Sequence, residues 1–187
     1  MTTTTSALPP LVDLDGWAAE RAAHEAKVEL VRGLVIMAPS EGAVNLRSGW
    51  LIAHAIERAT GRERLAVPHL DVVLSDVPTT VRCPDLVVVR PAAIDRGTTR
   101  LSAADVDLVA EVVSPSSVET DWLVKRAEYA RAGIGAYLVV DLRPGAERLA
   151  LFTRPGPDGY ADVTGGGAVV IPFGDDAVHL ALGDLLA

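Results

Sequence analysis

Residues Asp107 to Asp141 read D-L-V-A-E-V-V-S-P-S-S-V-E-T-D-W-L-V-K-R-A-E-Y-A-R-A-G-I-G-A-Y-L-V-V-D. The run from Val106 to Val113 is nearly continuous in Val and Leu, as expected of a strand covered on both faces. Ser114-Pro115-Ser116-Ser117 breaks it, and Ser116-x-x-Glu119 has the form of a capping box for a helix reaching about Ala132. Gly133 and Gly135 stop that helix, and Ala136 to Asp141 is another strand. Strand, capped helix and strand together form one piece of a helix-covered sheet.

Upstream, Ala66 to Leu74 and Val81 to Val89 predict two more strands, the second again apolar throughout. Before them Ala43 to Thr60 places Val44, Leu51, Ala55 and Ala59 at helical spacing, with Gly61 as a stop. The order from Ala43 is thus helix, three strands, helix, strand. Leu11 to Glu25 predicts an N-terminal helix capped by Asp13 or Asp15, and Val28 to Met37 a hairpin turning at Arg32-Gly33. Pro144-Gly145, Pro155-Gly156-Pro157 and Gly165-Gly166-Gly167 punctuate a C-terminal part of short antiparallel strands. The fold class is α/β, more closely α+β with a mixed sheet. A single domain is expected over residues 11–187, after a flexible N-terminus at 1–10, and no internal repeat is present.

At 187 residues the chain can bury a sizeable core, and with 49% hydrophobic but 4% aromatic residues that core is mostly aliphatic. No secretory leader and no apolar run near the roughly 18 residues of a membrane span is present, so a cytoplasmic protein with no membrane partner is expected. Cys83 is the one cysteine, which excludes an internal disulfide and suits a reducing compartment. A formal charge of −8 argues against broad nonspecific binding to nucleic acid, where affinity comes from neutralised phosphates. Acids gathered at a metal site count negative until the ion arrives, and fifteen arginines can still form a local basic surface.

Asp85 follows Pro84 in the run Leu86-Val87-Val88-Val89, and Glu111 sits between Ala110 and Val112. A carboxylate in such surroundings is costly unless it is paired or binds a cation. Two of them on neighbouring strands would repel, and a magnesium or manganese ion relieves that repulsion while keeping coordinated waters, one of which becomes a nucleophile. The plainer alternative puts Asp85 at a strand mouth in solvent and pairs Glu111 with an arginine. Lys125 stands four residues after Asp121, and the plain account is an exposed ion pair contributing roughly 0.3 to 0.5 kcal/mol. Yet only two of seventeen basic residues are lysine, and a compact ammonium can contact an attacking water or phosphate charge in a way a guanidinium cannot. The four histidines lack the close pairing of a zinc site; His69, two positions from Asp71, is the one candidate for a supporting role. No G-x-S-x-G elbow and no phosphate loop is present.

Taken together, V-E-L-V-R-G-L-V-I-M-A-P-S at Val28 to Ser40, C-P-D-L-V-V-V at Cys83 to Val89, D-L-V-A-E-V-V-S-P-S-S at Asp107 to Ser117, the helix D-W-L-V-K-R-A-E-Y-A-R-A-G from Asp121 and the strand A-Y-L-V-V-D after it resemble the PD-(D/E)XK, or restriction-endonuclease-like, superfamily, in its Uma-two branch. The resemblance runs from about Asp13 to the C-terminus. It implies a restriction-endonuclease-like core, with Asp85 and Glu111 as the metal-binding acids and the Val112 carbonyl as a further ligand. The lysine usual two residues after the second acid is absent, Val113 standing there, and the resemblance carries that lysine to the next helix, onto Lys125, with Asp121 one turn earlier. Glu29 becomes a further acid near the site. Relatives often carry histidine where this chain has Asn45, which leaves Asn45 an auxiliary position.

The expected function is therefore hydrolysis of phosphodiester bonds in nucleic acid, DNA first, by a Mg2+- or Mn2+-dependent endonuclease that could act as a homodimer. The rival from another class is a catalytically weak nuclease-like module that binds nucleic acid or a protein partner. A small-molecule α/β enzyme is a third option, weakened because the first strand-to-helix junction lacks a Gly-rich loop.

Overall fold

Asp13 begins the regular structure by accepting a hydrogen bond from the Gly16 amide at 2.9 Å, which caps α1 (Leu14–Ala23). This computed structural model describes residues 10–38 and 41–186, so the flexible N-terminus expected for residues 1–10 lies, Pro10 apart, outside the described residues. The hairpin forms as β1 (Val28–Val31) and β2 (Leu34–Met37), and both turn residues, Arg32 and Gly33, have positive φ. That is the two-residue turn whose twist matches the strands it joins.

Helix α2 (Ala43–Ala59) ends before Gly61, which has φ +56°. Its buried stripe is Ser48, Ile52 and Ile56, while Val44 and Ala59 are exposed, so the inward face is turned about a sixth of the way round from the expected one. Full burial of each isoleucine contributes roughly 1.5 to 3 kcal/mol, more than the smaller alanines could offer.

The three expected strands before the second helix become five, and a sixth, β7, forms where no strand was expected. Ala66 to Leu74 divides into β3 (Leu65–Val67) and β4 (Asp71–Asp76) around Pro68 and His69, whose φ is +54°. Val81 to Val89 divides into β5 (Thr79–Arg82) and β6 (Leu86–Val89), because Pro84 has no N–H to give to a ladder. After β7 (Arg100–Ser102) comes β8 (Val106–Val112). The next helix starts at Val118, runs as a π-helix over Thr120–Lys125 and continues as α3 (Arg126–Arg131). No reciprocal Ser116–Glu119 cap forms among the described residues. Ser117 Oγ instead accepts from the Ser114 amide at 2.9 Å and closes the turn.

β9 (Ala136–Asp141), β10 (Arg148–Gly156), β11 (Gly159–Gly166), β12 (Ala168–Phe173), β13 (Asp176–Ala181) and the short α4 (Leu182–Leu185) complete the chain. The central sheet has the order β11-β10-β9-β8-β6-β3, with β8 and β9 parallel and the remaining pairs antiparallel. A second sheet, β2-β1-β5-β4-β7, holds the hairpin, and β12 pairs with β13. Strand alternation gives the central sheet two covered faces. Leu86, Val88, Leu108, Ala110 and Val112 pack with α2 and the β12–β13 hairpin. Val87, Val109, Val113 and Tyr137 pack with Tyr129 and Ile134 on the other. Both expected apolar strands are buried along nearly their whole length, and Glu111 falls on the Tyr129 side.

Candidate active site

The break at Pro84 leaves Asp85 just before β6, where its Oδ2 accepts the Val112 amide of β8 at 2.8 Å. This bond ties the two acid-bearing strands together at one end of the sheet. Glu111 is 2% exposed, and its Oε1 accepts from Lys125 Nζ at 2.9 Å and from the Tyr129 hydroxyl at 2.8 Å. Lys125 Nζ also lies 3.4 Å from Asp121 Oδ1 and 3.6 Å from Glu29 Oε1. Neither plain account survives this geometry. Asp85 is buried, Glu111 meets a lysine and a tyrosine, and the Asp121–Lys125 pair is inside the protein.

Glu29, from β1, is held by Arg82 Nη1 at 2.6 Å and the Cys83 amide at 3.2 Å, and Arg82 Nε reaches on to Glu128 at 2.8 Å. Burial opposes ionisation of Glu29, but Lys125 and Arg82 together keep its carboxyl below the usual range. Glu111 is driven the other way, by burial first, with Lys125 opposing. Asp121 rises to about 7, through burial and then the charge of Glu111. Its Oδ1 has no hydrogen-bond partner among the described residues. Lys125 stays charged beyond the ordinary lysine range, because Glu111, Glu29 and Asp121 outweigh the cost of burying it.

Of a second group on the other side of Asp85, sequence reasoning picked out only His69 and missed Lys27 and Glu41. Lys27 Nζ donates to Asp85 Oδ1 at 2.8 Å and to Glu41 Oε1 at 3.0 Å, and His69 Nδ1 stands 3.3 Å from the same Glu41 oxygen. Lys27 had a signal, the scarcity of lysine that singled out Lys125; Glu41, in the polar stretch Ser40-Glu41-Gly42 of the sequence, had none. Asp71, two positions from His69, belongs to a separate cluster. Asp71 takes the Trp17 indole N–H at 2.8 Å and lies 3.8 Å from Arg21. Cys83 is buried, with its thiol pushed up to about 12 by burial, and is inert.

A cavity of roughly 50 Å³ joins the two groups, with Lys27, Glu41, Asp85, Glu111, Asp121 and Lys125 in its wall. That is room for an ion and a water. Asn45 Nδ2 donates to the Val112 carbonyl at 2.8 Å, which orients that oxygen and leaves it a second lone pair. A groove of roughly 380 Å³ continues from Glu41, Asn45 and Asp85 along α2, past the exposed Trp50, which stacks on His54.

Five carboxyl groups (Glu29, Glu41, Asp85, Glu111 and Asp121) thus share the positive charge of Lys27, Lys125 and Arg82. Asp121 Oδ1, without a hydrogen-bond partner among the described residues, faces this oxygen-rich cavity, a set of donors that a divalent cation with oxygen ligands fits.

The sequence model of the Uma2 family, described as "Putative restriction endonuclease", matches residues 13–175. The chain belongs to the Uma2 family. A crystal structure of a "putative nuclease belonging to DUF820" from Anabaena variabilis is similar in fold, with a TM-score of 0.67 at 18% identity over 93% of this chain and 97% of that one. No curated protein matches. The restriction-endonuclease-like fold expected from the Uma2 resemblance is therefore the fold of this chain. No helix among the described residues is long and apolar enough to cross a membrane.

Proposed function

We propose that this Uma2 chain is a divalent-metal-dependent endonuclease that hydrolyses phosphodiester bonds of nucleic acid, with DNA as the expected substrate. The observation that carries the reading is the convergence of Asp85, Glu111 and Lys125 on one small cavity rich in carboxylates. Asp85 and Glu111 would hold Mg2+ or Mn2+, with the Val112 carbonyl, oriented by Asn45, as a further ligand. A bound divalent ion acidifies its coordinated water and offsets phosphate charge. Lys125 places its ammonium beside Glu111, where it can position the attacking water or meet charge developing on the phosphate. Glu29 and Asp121, at 3.6 and 3.4 Å from that ammonium, are auxiliary residues that hold it in place. The cytoplasm is the compartment this reading expects, and a second copy of the chain is the partner that the exposed Leu34, Ile36 and Met37 of β2 support.

The test is cleavage of single-stranded and duplex DNA and of RNA, with Mg2+ or Mn2+ at low salt, since a chain of net charge −8 binds phosphates weakly at higher salt. Asp85→Asn and Glu111→Gln should each lose cleavage and the calorimetric metal signal. Lys125→Ala should keep metal binding and lose cleavage by 10²-fold or more, at the scale of removing one transition-state donor. It should also lower stability by roughly 3 to 5 kcal/mol, because it strands buried acids. Lys125→Arg should rescue poorly, as a planar fork cannot place one compact charge there. A catalytically weak binding module is the second reading, favoured by the Lys27 ammonium already seated on Asp85. A parent that binds metal and cleaves none of these substrates would establish it in place of the first.

A further inference from the structure

Glu41, His69 and Asp85 come from three separate segments, the approach to α2, the Pro68–His69 turn and the entry to β6, and they meet at one point. Their ligand atoms all lie within 4.8 Å of one another. Two ligands on opposite sides of a divalent ion, each at about 2.0 to 2.4 Å, stand up to about 4.8 Å apart. The three side chains can therefore reach one ion without backbone movement. Lys27 Nζ already occupies the place, 2.8 Å from Asp85 Oδ1 and 3.0 Å from Glu41 Oε1. The chain has only two lysines beside fifteen arginines, and a compact ammonium fits a space the size of a metal ion where a guanidinium does not.

We propose that Glu41, His69 and Asp85 form a second cation site and that the Lys27 ammonium is its resident cation, standing where a second metal ion would sit. The centre then takes one free ion, between Asp85 and Glu111, beside a fixed positive charge that no chelator removes. Two carboxylates and an imidazole suit Mn2+, Co2+ or Zn2+ better than Mg2+, which favours all-oxygen octahedral surroundings. Lys27 is a positioning residue in this arrangement, since it acts on the substrate only through Asp85 and the charge of the centre. The inference shares Asp85 with the metal reading above and rests on that reading only for the first ion.

The experiment counts ions. Metal-free parent, Lys27→Met, Lys27→Gln and the double variant Lys27→Met/His69→Ala are titrated with Mn2+ by calorimetry, with circular dichroism as the check of folding. The parent should bind one ion per chain, Lys27→Met two, and the double variant one again. Lys27→Gln, which keeps a polar group of similar length, should also gain the second ion and covers the case in which the methionine variant fails to fold. The inference is overturned if both single variants bind one ion as the parent does, or if the parent binds two with Lys27 in place. A parent that binds none, beside a Lys27→Met that binds one ion lost again with His69→Ala, would leave the inference standing and remove the Asp85–Glu111 reading. No binding by any of the four would remove both.

Discussion

Asp121 is the side chain in which the energetic cost of the site is most visible. It is buried one helical turn before Lys125, its Oδ1 lies 3.4 Å from the ammonium without a hydrogen bond, and its carboxyl titrates at about 7. An acid whose folded pKa is raised binds its proton more tightly in the folded state. Its contribution to stability is full below the ordinary value of 3.8 and is lost as pH rises through about 7. Metal-free protein should therefore lose stability between about pH 4 and pH 7 by at most about 1.4 kcal/mol per unit, and Asp121→Asn should flatten that slope. Urea unfolding at each pH in the presence of a chelator measures it, and an unchanged slope in the variant would show that the proton sits elsewhere. Glu29, held below the usual carboxylate range, runs the opposite way and loses its contribution as pH falls, so the comparison belongs on the neutral side of pH 5. Asp85, Glu111 and Lys125 were each legible in the sequence, because a charge in an apolar strand or a rare residue type stands out. The raised Asp121 was not, since its cost depends on Glu111 and Lys125 closing over it.

At the scale of the element, the segment between Thr120 and Lys125 matters most. The expected helix is present, but here it is wound as a π-helix, which carries one residue more per turn than an α-helix accommodates and recurs at functional sites. Within it Asp121 and Lys125 both point inward while Leu123 and Val124 remain exposed. Removing Leu123 should restore regular α-helical winding and shorten the Asp121-to-Lys125 spacing from i,i+4 to i,i+3, which shifts the ammonium relative to Glu111. The deletion variant should keep its helical circular dichroism and lose metal-dependent cleavage by 10²-fold or more. Activity equal to that of the parent would show that the π winding has no part in aligning the site. Composition and capping signals located this helix, but its winding answers to Glu111 and Tyr137, whose hydroxyl donates to the Asp121 carbonyl at 2.9 Å.

For the molecule as a whole, β2 is an edge strand of the five-stranded sheet, paired on one side only among the described residues, and it exposes Leu34, Ile36 and Met37. An apolar edge of this kind invites pairing with another chain. Light scattering at micromolar concentration should give the mass of a dimer, and Ile36→Lys with Met37→Lys should give a monomer that keeps its fold. A parent that is monomeric across the concentration range would remove the homodimer. The sequence by itself determined the parts whose signals are local, the hairpin at Arg32-Gly33, a cap at Asp13 or Asp15, and the strand, helix and strand from Val106 to Asp141, and it singled out the two acids and Lys125 as candidates. Such signals are carried by neighbours a few residues apart, through backbone preference, capping and the cost of a charge among apolar side chains. Only the tertiary structure decided that Pro68 and Pro84 divide two expected strands between two sheets, and that Lys27 meets Asp85 across 58 residues, with Glu41 and His69 beside it. Those meetings depend on strand order and register, and on the need of buried carboxylates for positive charge, which the chain satisfies with whatever cation the fold brings within about 3 Å.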